Sequence, residues 1–353
     1  MPFSAPQKVA FIEDKAVAYD RLADLLQLSA QANHWANFGP VAQLLEQFIC
    51  KQLNLPYHGK ALLTSSCSTA LEVIAQGLSF KLGRQARFLT SGFAFFSTYR
   101  GSFGSAQVVD CDEQGFICLE RIAQVPLDSY DAIVFTNIFG LGNDTQAHWE
   151  FADSNNKYLV IDNAAGYTAF PQRKVPEMLL EAVSFHHTKP HGFGEGGCVL
   201  AHDAWTPSLR AISNFGARLF PNNLKVGLNA KLSESSAAFI LQRLEQHTKW
   251  APQYIGQAKR IRQLAEGVGL SALVPNTTPE ASVPGQLPFL SERLVSKESL
   301  ENELVTLRKY YLPFATHMPN SQRIYNHIVS LPCHPDMATI EDSALEQLFS
   351  TFS

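Results

Sequence analysis

A lysine, an aspartate and a run of small hydroxyl residues stand at the ends of apolar segments in this chain, where ligands collect in open α/β sheets. Lys189 closes the stretch Ser184-Phe-His-His-Thr-Lys189 and is followed by Pro-His-Gly-Phe-Gly-Glu-Gly-Gly197. A lysine so placed is either solvated or, once desolvated, shifted toward the neutral amine that attacks a carbonyl carbon. Gly192, Gly194, Gly196 and Gly197 would let the backbone turn tightly beside a bulky ligand. The spacing is not G-x-G-x-x-G and the run precedes a strand, which argues against a dinucleotide loop.

Asp162 ends another apolar run and precedes Asn-Ala-Ala-Gly. It could pair with a protonated ring nitrogen or simply cap the next element. Ser65-Ser-Cys-Ser-Thr69 leads into a helix, whose free N–H groups and positive dipole end suit a phosphate; an ordinary N-cap needs the same residues. One ring of Phe93-Ala-Phe-Phe-Ser-Thr98 could stack on a planar cofactor, the others being core. Gly227-Leu-Asn-Ala-Lys-Leu-Ser-Glu234 reads as an exposed loop meeting a ligand or a second subunit, with Ser233 as the N-cap of the next helix, or as a solvated loop. Arg308, Lys309 and Tyr310 could meet a diphosphate or form a solvated charged turn, and the loops from Arg218 to Lys225 and from Arg308 to Pro313 are where a substrate would be chosen.

The elements that must position these residues are short apolar runs alternating with helical stretches. Strands are expected at Lys60–Thr64, Arg87–Thr90, Ala106–Asp110, Asp131–Thr136, Tyr158–Asp162, Val183–His186 and Gly197–Ala201. They lack in/out alternation, the mark of a mostly parallel sheet covered on both faces. Helices are expected over Pro40–Leu53 and Thr69–Phe80, with a long one over Ser233–Glu266. Val268–Pro288 reads as loops, and the tail from Ser299 as helix, extended segment and final helix. The 353 residues are 46% hydrophobic and 17% charged with a net charge of −4, a globular balance with no basic footprint for nucleic acid. No apolar run is long enough to span a membrane and no secretory signal is visible. Six scattered cysteines form no zinc pattern and suggest reduced thiols in a cytoplasmic protein.

Taken in order, these segments resemble the DegT/DnrJ/EryC1/StrS family of sugar aminotransferases. The lysine stretch with its Glu-Gly-Gly is similar to that family's Ser-Phe-His-Ala-Thr-Lys…Glu-Gly-Gly. Gly227 to Glu234 is similar to its Gly-x-Asn-Ala-Lys-Met-Ser-Glu, and Val-Ser-Leu-Pro-Cys-His-Pro335 to its Leu-Ser-Leu-Pro-x-x-Pro. Asn37-Phe-Gly-Pro40 with Glu46 matches its amino-terminal pattern, so the likeness runs from about residue 33 to the end.

The resemblance implies an α/β fold of the fold-type-I class dependent on pyridoxal 5′-phosphate (PLP). The large PLP-binding domain would span 1–245 and a smaller C-terminal α/β domain 246–353. Lys189 would hold the cofactor and shuttle a proton, and Asp162 would keep the pyridine nitrogen protonated. Cys67, Ser68 and Ser184 would bind the phosphate and Phe95 would stack on the ring, with Phe93 as its rival. Asn229 would reach the neighbouring subunit's phosphate site, implying a homodimer with shared active sites. Glutamate would leave its amino group on the cofactor (PMP), and a nucleotide-linked keto-deoxysugar, dTDP-4-keto-6-deoxyglucose in particular, would receive it. Two departures stand out: Cys67 replaces a glycine, and Ala165 replaces the Gln or His beside the ring hydroxyl. A PMP-dependent sugar dehydratase would carry His at position 189, and a non-catalytic sensor would retain the fold alone.

Overall fold

A computed structural model describes residues 8–142, 144–167, 175–217, 219 and 225–353. Seven strands form the main sheet: β1 (Gly59–Thr64), β2 (Phe88–Ser91), β3 (Gln107–Val109), β4 (Ala132–Thr136), β5 (Tyr158–Asn163), β6 (Leu179–Ser184) and β7 (Gly197–His202). Their order is β1-β7-β6-β5-β4-β2-β3, and only β7 runs against its neighbours. The sheet is therefore mostly parallel, as the unbroken apolar runs require.

Alternate side chains of these runs feed different cores. Ala132, Val134, Val160, Leu180 and Ala182 pack with helices α3 (Cys67–Leu82) and α6 (Thr206–Ile212). On the opposite face Leu63, Val183, Cys198 and Leu200 meet α1 (Tyr19–Ala32), α2 (Pro40–Gln52) and α7 (Glu234–Glu245). Further along that face, Ile133, Phe135, Leu159 and Ile161 join a core shared with α8 (His247–Gly267). The same core includes a second, antiparallel sheet of β8 (Ser271–Ala272), β9 (Gln286–Leu290) and β10 (Ile328–Pro332), in the order β10-β9-β8. Helices α4 (Leu119–Ile122), α5 (Gln146–Ser154), α9 (Pro279–Ser282), α10 (Pro319–His327) and α11 (Asp342–Phe349) complete the molecule.

Three expectations change. The sixth strand lies at Leu179–Ser184, ahead of Val183–His186, because Glu181 interrupts the apolar run without interrupting the pairing. Its buried carboxylate accepts the Asn163 amide at 2.7 Å. The long helix over Ser233–Glu266 is two helices broken at Gln246, where the Trp250 indole and the Gln246 N–H take the Arg243 carbonyl. Val268–Pro288 holds β8, α9 and the start of β9; the proline at 288 sits inside a strand, which hides it from a reading by composition. Four of the six cysteines are buried, and none is joined in a disulfide among the described residues. No described helix is long and apolar enough to cross a membrane.

Candidate active site

The carboxyl ends of β4, β5 and β6 and the N-terminus of α3 open onto one cavity of about 340 Å³. Thr136, Asp162 and Ser184 line it from the strand ends, and Ser66, Cys67 and Ser68 from the helix. The helix can come this close because β7 begins with Gly197. A Cβ there would lie 2.5 Å from the backbone nitrogen of Cys67. Ser66 caps α3 by accepting the Thr69 N–H at 3.1 Å, so the first amides face the cavity end with the positive pole of a sixteen-residue helix behind them.

Asp162 is fully buried. Its Oδ1 accepts the Ala164 N–H at 3.2 Å, while Oδ2 has no hydrogen-bond partner among the described residues. Burial raises the carboxyl to about 6, opposed by the Ala164 amide and the charge of Lys189. The Cys67 thiol lies 4.0 Å from Oδ1, and burial, then the neighbouring carboxylate, push its pKa well up. Thr136 is next to Asp162 across the β4–β5 ladder, and its buried hydroxyl is also unpartnered among the described residues.

Lys189 stands on a compact turn after β6. Its N–H bonds the His186 carbonyl at 2.9 Å, its carbonyl accepts the Gly192 N–H at 3.0 Å, and the His187 N–H reaches Gly194 at 2.8 Å. Gly192 is required, because a Cβ would fall 2.1 Å from the His186 oxygen. The residue lines the cavity, and desolvation lowers its ammonium pKa, with Cys67 and Asp162 opposing. Both ionisable groups are thus shifted toward their neutral forms, the lysine toward a nucleophile. Ser184 accepts the His186 N–H at 3.2 Å, leaving its own proton to donate.

Of the two rival rings, Phe95 lines the cavity at 50% exposure, whereas Phe93 is fully buried against Tyr311 with centroids 5.5 Å apart. Ala165 lines the cavity, while Asn229 does not: it is exposed and pairs by its backbone with Asn214. Ser233 is the N-cap of α7, accepting the Ser236 N–H. Arg308 and Tyr310 line the cavity and bond each other at 2.8 Å. Lys309 is corrected: its ammonium is held by the Val295 carbonyl and lies over the Tyr325 ring, outside the cavity lining. In the stretch from Arg218 to Lys225, positions 218 and 220–224 lie outside the described residues. Sequence reasoning missed Thr136, Asn137, Phe139, Tyr311 and Phe11, all of which line the cavity. Thr136 carried a usable signal, a hydroxyl at a strand end beside Asp162.

The sequence profile of the DegT/DnrJ/EryC1/StrS aminotransferase family matches residues 19–346. The chain belongs to this family. As a member it is an aminotransferase on the fold-type-I, PLP-dependent architecture. The aminotransferase is 26% identical to protein Rv3402c of Mycobacterium tuberculosis, across 94% of this chain and 87% of that one. It is 25% identical to a dTDP-4-amino-4,6-dideoxy-D-glucose transaminase of Shigella dysenteriae, across 92% and 93%. Its fold matches Helicobacter pylori PseC, an aminotransferase involved in the biosynthesis of pseudoaminic acid, with a TM-score of 0.80 at 18% identity, covering 98% of this chain and 99% of that one.

The residues present fit the cofactor. An orphaned carboxylate oxygen suits a protonated ring nitrogen, a helix N-terminus with Ser68 and Ser184 suits a phosphate, and a desolvated lysine suits a carbonyl carbon.

Proposed function

We propose that this aminotransferase moves an amino group from glutamate to a nucleotide-linked keto-deoxysugar, with dTDP-4-keto-6-deoxyglucose the best candidate. The observation that carries the reading is the meeting in one cavity at the strand ends of Lys189 and Asp162, whose Oδ2 has no hydrogen-bond partner among the described residues. When bound, PLP supplies an electron sink that makes the Cα–H and C4′–H bonds labile. Lys189 would hold the cofactor, and its Nζ would move the proton made labile there. Asp162 would pair with the ring nitrogen and keep it protonated. Cys67, Ser68 and Ser184 would seat the phosphate, and Phe95 would stack on the ring.

The sugar rests on the Shigella relative, named for a dTDP-linked dideoxyglucose with its amino group at C4. Arg308 with Tyr310 at the cavity edge offers a cation for a diphosphate. Asn229, exposed and away from this cavity, supports a homodimer in which it serves the neighbouring subunit's phosphate site. The lysine at 189 sets the protein apart from a dehydratase, and the intact set of Lys189, Asp162 and Ser184 from a non-catalytic sensor.

Purified protein given PLP is expected to develop a visible absorbance band that glutamate bleaches and that Lys189→Ala never forms. A protein that takes up no PLP sinks the enzymatic reading. The glutamate-reacted protein, offered a panel of nucleotide keto-sugars, should regain the band fastest with dTDP-4-keto-6-deoxyglucose; faster recovery with a 3-keto or UDP-linked sugar overturns that substrate.

A further inference from the structure

Residues 8–18 form a strap without regular secondary structure that the sequence pattern does not absorb. Its start is pinned by Val9, which exchanges backbone hydrogen bonds with Leu304 and Thr306 at 2.9 Å. The Asp14 N–H bonds Asp336 and the Ala18 N–H bonds Gln242. Between them, Phe11 lines the cavity and Lys15 plunges into the protein, 6% exposed.

The Lys15 ammonium donates to the carbonyls of His187 at 2.7 Å, Lys189 at 2.5 Å and Gly192 at 2.7 Å. An ammonium has three protons, and all three are spent on the turn that carries Lys189. Among the described residues no carboxylate lies in ion-pair contact with it: Glu13 is taken by Arg243 at 2.6 Å and by the Tyr254 hydroxyl at 2.9 Å. Arg243 in turn donates to the Pro190 carbonyl at 2.9 Å. Two cations from outside the turn thus hold four of its carbonyls, at 187, 189, 190 and 192. A buried, unpaired ammonium is costly, and burial brings its pKa down to about 7, with Arg243 adding to the shift, Glu13 opposing it and Lys189 adding a little more. For a surface turn such a residue would be a liability; for a turn that aims a nucleophile, rigid carbonyl anchoring is what positioning needs.

We propose that Lys15 is a positioning residue for Lys189, fixing the 187–192 turn from the amino-terminal strap and so setting where the Lys189 amine stands in the cavity. This rests on Lys189 as the cofactor lysine.

Two measurements test it on the full-length protein. In Lys15→Met, which keeps the stem and removes the donors, PLP capture by Lys189 should slow about tenfold to a hundredfold, the scale of a small misplacement. Sugar KM should change little, and Lys15→Arg should recover part of the capture rate. Capture at the wild-type rate in Lys15→Met overturns the proposal. In the unmodified protein, hydrogen exchange of the His187, Lys189, Gly192 and Phe193 amides, corrected for intrinsic rates, should lose protection between pH 6 and 8.5. Over that range the ammonium gives up a proton and one carbonyl loses its donor. The groups facing Lys15 are Glu13 on the strap, Arg243 and Tyr254 on α7 and α8, His187, Lys189 and His191 on the turn, and His334 beside Asp336. A pH response kept in Lys15→Arg would belong to one of the histidines and overturn the assignment, as would flat protection in the unmodified protein if Lys15→Met fails to fold. Absence of any cofactor band in the unmodified protein would instead remove the Lys189 reading.

Discussion

Asp162 combines burial with a carboxylate oxygen that has no hydrogen-bond partner among the described residues, the two features on which its proposed cofactor role rests. A carboxyl raised to about 6 from the ordinary 3.8 holds its proton more tightly folded than unfolded. Its contribution to the cofactor-free protein is therefore fully present below pH 4 and lost as pH rises through about 6, a cost on the order of 2–3 kcal/mol above that pH. Asp162→Asn is expected to melt higher than the unmodified protein at pH 7.5 when both are cofactor-free, and by much less at pH 4.5. Turnover in the same variant should drop at least a hundredfold, since a neutral amide cannot keep the ring nitrogen protonated. Equal melting temperatures at pH 7.5, or near-normal turnover, would count against this placement. The residue scale is also where the chain text was most legible. Asp162 ends an apolar run, and Lys189 stands between an apolar run and a glycine-rich loop, both readable from local pattern. Phe95 was separable from Phe93 only once Tyr311, more than two hundred residues away in the chain, was seen to bury the latter.

At the scale of elements, one side chain organises the amino-terminal helices. Glu234, in the Asn-Ala-Lys-Leu-Ser-Glu segment, is buried. Its carboxylate accepts the Val41 N–H at 2.7 Å, the Ala42 N–H at 3.1 Å and the Ser29 hydroxyl at 2.9 Å. It caps α2 from α7 and ties in α1, and Gly39 leaves the space, a Cβ there falling 2.7 Å from the Glu234 carboxyl carbon. Glu234→Ala should cost about 2–3 kcal/mol, since three donors lose a charged acceptor in the interior. A melting temperature lowered by about 5 °C or more would agree; a change under 1 °C would not. Helix α2 and its Pro40 start were visible from spacing, whereas the cap that closes it is supplied from nearly two hundred residues downstream. No local pattern encodes that. The break at Gln246 escaped notice for a similar reason, since it depends on which donor wins the Arg243 carbonyl.

For the whole molecule, the second sheet is not an appendage. Phe289, Val329, Leu331 and Phe349 share a core with Ile133, Phe135, Leu159 and Ile161 of the main sheet. A fragment ending at residue 245 would uncover that face, and it is expected to show no cooperative unfolding by circular dichroism. A sharp transition in this fragment would show that residues 1–245 fold alone. By itself the sequence determined a mostly parallel α/β sheet and the places of six of its seven strands, because these follow from apolar runs within a few neighbours; it offered the lysine, the aspartate and the hydroxyl turn as candidates, and their roles came from the family resemblance. Tertiary structure alone decided that Phe95 faces the cavity, that Lys309 turns away, that Asn229 stands apart from this chain's own cavity, and that Lys15 grips the Lys189 turn. Those outcomes depend on contacts between distant residues, Lys15 with Gly192 across 177 positions and Phe93 with Tyr311 across more than two hundred, and the burial that shifts the Lys15 pKa exists only when the layers have closed.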